Sequence, residues 1–150
     1  MDFSKISQKI LPVLNLSSLE QADLIAQLMK ESNLTYLEIT LRNDNAMAVL
    51  SHILLNHPSL IVGVGTITKS DDVFSVAESG AHFGVTPGMN SALYAAMDNS
   101  SLPIIPGVST ISEAMEAMEH GCDYVKLFPA SQIGLKTVKS WSGPLENISI

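Results

Sequence analysis

Tyr36-Leu37-Glu38-Ile39-Thr40-Leu41-Arg42 is the stretch whose reading decides the fold. Its apolar and β-branched residues read as a strand, and strand alternation puts Tyr36, Glu38 and Thr40 on one face with Leu37, Ile39 and Leu41 on the other. One face suits a layer of helices. The other carries a carboxylate and a hydroxyl and ends in Arg42, so it suits the interior of a closed sheet with polar chemistry at its rim.

Strands of this kind recur along the chain. Candidates begin near Pro12, Thr35, Leu60, His82, Pro103, Asp123 and Glu146, separated by 23, 25, 22, 21, 20 and 23 residues. Between them, apolar residues at helical spacing predict helices within Leu19 to Ser32, Asn45 to Asn56, Asp71 to Ser79, Ser91 to Asp98, Ile111 to His120 and Ile133 to Trp141. Ser18 with Gln21 and Thr110 with Glu113 have capping-box spacing, and Gly80 and Gly121 stand where helices must stop. Asp71-Asp72 suits a helix N-terminus. Alternating strands and helices imply a parallel sheet with right-handed crossovers.

A closed barrel and an open doubly wound sheet both meet that pattern. Gly63-Val64-Gly65 begins a dinucleotide fingerprint, but Thr68 stands where its third glycine belongs. The barrel is preferred because polar residues recur at strand C-terminal ends: Glu38, Thr40 and Arg42, then Thr66, Thr86 and Lys126. The expected fold is therefore a TIM-type (β/α) barrel in a single domain over residues 1–150, incomplete, with seven strands and six helices of a (β/α)8 pattern.

Lys126 lies in Tyr124-Val125-Lys126-Leu127-Phe128-Pro129, an apolar run that reads as a buried strand. A lone cation there faces a desolvation penalty. Desolvation favours the neutral amine, which is a nucleophile able to form a Schiff base with a carbonyl substrate. A lysine snorkelling to water is the bland alternative. Alternation groups Lys126 with Tyr124 and Phe128, so Lys126 and Glu38 can share one interior. A buried ion pair is a poor device for stability alone, whereas an iminium and a base have distinct chemical jobs. Arg42 can grip a carboxylate bidentately, or form a surface pair. Thr66, after two glycines that permit close backbone approach, can add a hydroxyl and an N–H, or can cap the following helix.

Net charge is −7, which argues against nucleic acid and anionic membranes as partners. Cys122 cannot form an intrachain disulfide and is expected to pack at a helix-to-strand turn. His52, His57, His82 and His120 show no ligand spacing, so no metal or cofactor is expected. Met115 and Met118 read as core fillers. No apolar stretch reaches the roughly 20 residues of a membrane helix and no signal peptide is evident, so a cytoplasmic location is expected.

At these residues the chain resembles the class I 2-keto-3-deoxy-6-phosphogluconate (KDPG/KHG) aldolase family. The resemblance is carried by Leu37-Glu38-Ile39-Thr40-Leu41-Arg42, Val62-Gly63-Val64-Gly65-Thr66-Ile67, Gly80-Ala81-His82-Phe83-Gly84-Val85-Thr86-Pro87-Gly88, Pro103 to Thr110 and Val125-Lys126-Leu127-Phe128-Pro129-Ala130. It implies a homotrimeric, metal-free barrel that yields pyruvate and an aldehyde from a phosphorylated keto-deoxy acid or from 4-hydroxy-2-oxoglutarate. It further implies Lys126 as Schiff-base lysine, Glu38 as general acid/base, Arg42 and Thr66 as pyruvate-carboxylate contacts, and Pro87 and Phe128 as pocket walls. The family continues past the position of Ile150 with elements that complete a phosphate site. A chain ending there is expected to have open sheet edges and poor stability unless a neighbouring subunit covers them. A catalytically impaired pyruvate-binding remnant and a barrel isomerase or epimerase using Glu38 as base are the competing readings.

Overall fold

The computed structural model describes residues 8–146 and 148–150. Among the described residues, seven short strands, β1 (Val13–Leu14), β2 (Tyr36–Thr40), β3 (Ile61–Gly65), β4 (Phe83–Val85), β5 (Ile104–Ile105), β6 (Gly107–Val108) and β7 (Lys126–Leu127), alternate with helices except that β6 follows β5 directly. The helices are α1 (Leu19–Glu31), α2 (Ala46–Asn56), α3 (Ser70–Glu78), α4 (Ser91–Asp98), α5 (Ile111–Glu119) and α6 (Leu135–Trp141). Strands pair in parallel in the order β1-β2-β3-β4-β5, and β6 pairs with β7 in a second ladder. This is the expected arc of a TIM-type barrel, incomplete in its circuit.

Two strands differ from expectation. The fifth is broken at Pro106, which has no N–H to donate to a ladder. Its carbonyl still accepts from Lys126 N–H at 2.8 Å, so pairing to β7 is kept across the break. The strand expected from Glu146 is reduced to one parallel bridge, Tyr124 with Ser149, closed by Val125 N–H to Ser149 O at 2.9 Å and Ser149 N–H to Asp123 O at 2.8 Å.

Helix boundaries follow their capping chemistry. Thr110 and Glu113 form a complete capping box at α5. Ser18 accepts from Gln21 N–H at 3.3 Å, but the Gln21 side chain turns to Ser17 N–H at 2.8 Å, so that box is not reciprocal. Asp71 and Asp72 lie in the first turn of α3. Helix α6 starts at Leu135, later than periodicity suggests, because a 3₁₀ turn, Ala130–Gln132, and Gly134 precede it. Gly80 and Gly121 have φ of 82° and 75°, the left-handed backbone that glycine adopts without steric cost.

Burial divides the strand faces as alternation requires. Leu37, Ile39, Val62 and Val64 pack with Ala22, Ala26, Val49, Leu50, Ile53 and Val73 in the larger cluster, between β1–β5 and α1–α4. A smaller cluster holds Val108, Ala114, Ala117, Val125, Trp141 and Leu145 around β6, β7, α5 and α6. Met118 packs against the smaller cluster, but Met115 is exposed and is not the core filler its sequence suggests. Among the described residues, no helix is long and apolar enough to cross a membrane.

Candidate active site

Strand β2 fixes Glu38 by its register, opposite Val13 on β1 and Gly63 on β3, which turns its side chain into the barrel. Glu38 is 2% exposed. Its Oε1 atom makes no hydrogen bond among the described residues and faces Lys126 Nζ at 3.6 Å. Burial pushes the carboxyl above the usual carboxylate range, and the charges of Lys126 and then Arg42 pull in the opposite direction. Burial thus favours the protonated form of this carboxyl relative to an exposed one.

The two glycines of β3 explain how a carboxyl fits there. A Cβ on Gly65 would collide with Glu38 Oε1, and one on Gly63 would enter the Phe83 ring. The sequence reads these glycines as permitting close backbone approach before Thr66; in the structure they make room for Glu38 and Phe83, both buried. Thr40, one pleat further on, is also buried and donates to Leu14 O at 3.2 Å.

Lys126 stands on β7 opposite Gly107, reaching the interior from the far side of the arc. The expectation of a sealed strand is corrected: the Lys126 side chain is 29% exposed, because the inward face here is open. It lies at ion-pair distance from Glu38, in the interior to which alternation assigns both. Val125 and Leu127 point to the helix layer as alternation predicts. The Phe128 ring, itself 38% exposed, lies with its centroid 5.5 Å from Lys126 Nζ, a cation–π distance.

Arg42 and Thr66 meet at the strand ends, where Arg42 Nε donates to Thr66 Oγ1 at 3.2 Å. Thr66 has φ of 64°, a conformation that a β-branched residue adopts at a cost of about 1–3 kcal/mol. It does not cap α3, whose N-cap position is Lys69. Pro87 follows β4, and its backbone packs against the Cα of Gly107, the register partner of Lys126. Thr86, buried and not assigned a role from sequence, accepts from Gly107 N–H at 3.1 Å and so ties β4 to β6. Glu38 and Lys126 are thus brought together directly. Phe128 joins them, while Arg42 and Thr66 form a neighbouring pair.

Outside this site, the histidines depart from expectation. His52 and His57 both reach Asp23, although their spacing in sequence gives no hint of it. Cys122 packs near Met97 with sulfurs 4.0 Å apart, and burial pushes its thiol up to about 11.

Residues 4–150 match the sequence profile of KDPG and KHG aldolase. The 2-dehydro-3-deoxy-phosphogluconate aldolase of Pseudoalteromonas atlantica is 34% identical over 141 residues, which is 93% of this chain and 66% of that protein. The KHG/KDPG aldolase of Escherichia coli is 34% identical over 140 residues, with the same coverage. The chain therefore spans about two thirds of the length of the curated relatives it matches. Among solved structures, the KDPG aldolase of Legionella pneumophila, crystallised with pyruvate captured at low pH as a covalent carbinolamine intermediate, superposes with a TM-score of 0.88 at 31% identity, covering 93% of this chain and 68% of that one. On profile, sequence and fold together, the chain belongs to the KDPG and KHG aldolase family.

Proposed function

We propose that Lys126 is the nucleophile and Glu38 the general acid/base of a class I aldolase acting on 2-keto-3-deoxy-6-phosphogluconate, 4-hydroxy-2-oxoglutarate or both. The observation that carries the reading is the 3.6 Å approach of Lys126 Nζ to a buried carboxyl whose proton affinity is raised by burial. The unprotonated amine adds to the C2 carbonyl of the keto acid and forms a carbinolamine. Protonated Glu38 donates to the carbinolamine hydroxyl, which leaves as water and gives the iminium. Glu38, now a carboxylate, removes the C4 hydroxyl proton. The C3–C4 bond breaks, the aldehyde departs and its electron pair enters the enamine. Reprotonation at C3 and hydrolysis return pyruvate and the free lysine. The covalent pyruvate adduct of the Legionella pneumophila relative supports a keto-acid substrate.

Arg42 and Thr66 hold the substrate carboxylate in this reading. The hydrogen bond between them fixes the guanidinium at the strand ends, where bidentate contact is available. Pro87 and Phe128 wall the pocket, and the active particle is a homotrimer in the cytoplasm. Sedimentation of the purified chain checks the assembly, with three chains per particle expected.

Incubation with pyruvate and borohydride tests the chemistry. Reduction converts a transient imine into a stable 1-carboxyethyl amine, and peptide mass spectrometry is expected to find it on Lys126 alone. Lys126→Ala abolishes it. Full turnover by Lys126→Ala would instead support an isomerase or epimerase with Glu38 as base, and a folded wild-type chain without adduct would support the non-catalytic remnant.

A further inference from the structure

Asp23, His52 and His57 form a cluster on the outer helix layer, apart from the lysine site. His52 Nε2 lies 2.7 Å and His57 Nε2 2.8 Å from the same atom, Asp23 Oδ1. The three ligand-capable atoms lie within 4.8 Å of one another. Asp23 comes from α1, His52 from α2, and His57 is the C-cap of α2 with φ −129° and ψ 59°. That non-helical backbone explains why the sequence hid the cluster. Ligands at helical i, i+4 spacing are easy to find, whereas a residue five positions on reaches the same face only when the helix has ended.

We infer that these three side chains form a zinc(II) site that clamps α1 to α2. The two imidazole planes are inclined by 62° with centroids 6.1 Å apart, and both ring edges aim their Nε2 atoms at one oxygen. Two imidazole nitrogens and one carboxylate oxygen are a zinc donor set, with bond lengths of about 2.0–2.2 Å and a fourth position for water. A tetrahedron of that size separates ligand atoms by about 3.3 Å, so each N···O distance opens by about 0.5 Å. Side-chain rotation supplies this. The Asp23 side chain is 55% exposed, so it is free to take up most of the change.

The outer partners are also present. Asn56 Nδ2 lies 3.2 Å from His52 Nδ1 and donates to His52 O at 2.9 Å, contacts that suit the His52 tautomer with its proton on Nε2, toward Asp23. A metal on Nε2 moves that proton to Nδ1, and the Asn56 amide must turn its oxygen toward it. The backbone of His57 is held by its N–H to Ile53 O at 2.8 Å and by Leu60 N–H to its carbonyl at 3.0 Å, so one ligand is anchored before metal arrives. The site is independent of the aldolase reading, because α1 and α2 pack on Leu37 and Ile39, the face of β2 opposite Glu38.

Calorimetric titration of the chelator-treated chain with zinc(II) tests the inference. One zinc per chain is expected, with affinity weakened more than about tenfold in His52→Ala and in His57→Ala. His120→Ala serves as control, since His120 pairs with Asp98 at 3.0 Å and stacks on Tyr94 and is no part of the cluster, and it is expected to bind as the wild type does. A second measurement needs no variant: zinc(II) should protect His52 and His57, but not His120, from acylation by diethyl pyrocarbonate, read by peptide mass. No binding, binding undiminished in both variants, or equal protection of all three histidines would overturn the site.

Discussion

Glu38 is where burial, charge and geometry meet most sharply. Its raised proton affinity has a defined linkage to stability. The folded state holds the proton more tightly than the unfolded chain, so the contribution is favourable below the ordinary carboxyl value of 4.5 and is lost as pH rises through the folded value. Glu38→Gln removes this dependence. Urea unfolding across a pH series should therefore show the variant gaining stability relative to wild type as pH climbs from 4.5 through the folded value and levelling off beyond it, and a pH-independent difference would count against the assignment. The same substitution is expected to lower turnover by about 10²–10⁴-fold, since an amide cannot exchange the proton. Gly65→Ala tests position rather than charge. The new methyl must displace the carboxyl or be overpacked, at about 1–3 kcal/mol, and a displacement near 1 Å lowers kcat by about 10²-fold. A stable, fully active Gly65→Ala would mean that the Glu38 placement is not the reactive one. Lysine and carboxylate were both legible in the sequence, because alternation alone sorts them to one interior. The purpose of Gly63 and Gly65 was not, since a missing Cβ is explained only by the neighbour that fills its place.

At the scale of elements, the helices were the most readable part. Periodicity plus caps located all six within a few residues, and the largest error, at α6, arose because Ile133 closes a 3₁₀ turn and Gly134 takes the N-cap position. Strands were legible as positions but not as lengths. Pro106 interrupts the fifth, and the last narrows to the bridge at Ser149. The capping box of α5 gives a direct test. Thr110 accepts the Glu113 N–H at 3.3 Å, and Glu113 accepts the Thr110 N–H at 3.0 Å and that of Ser109, so Thr110→Ala should cost about 0.5–2 kcal/mol in denaturant unfolding. No cost would indicate that water replaces the cap. The cluster of Asp23, His52 and His57 was illegible for a related reason: it depends on where α2 stops and on how α1 lies beside it, and both are tertiary facts.

Across the whole molecule, the two apolar clusters are separate, and the strand hydrogen bonding changes ladders at Pro106. Proteins open in cooperative units that follow such divisions. Native-state hydrogen exchange should therefore show amides of α5 and β7 exchanging together and faster than those of β2, β3 and α2; a single uniform class would argue against the division. Across the boundary run the Thr86 to Gly107 hydrogen bond and the packing of Gly107 on Pro87. The barrel class was foreseen from the repeat of strand and helix, but this internal division was not, because it depends on which side chains touch. Glu38 rests on the larger cluster's sheet and Lys126 on the smaller one's. Their proximity is thus a gauge of docking: a sample can keep its helical spectrum and most of its buried core yet lose the iminium chemistry, once one part of the molecule swings away from the other by little more than a water's width.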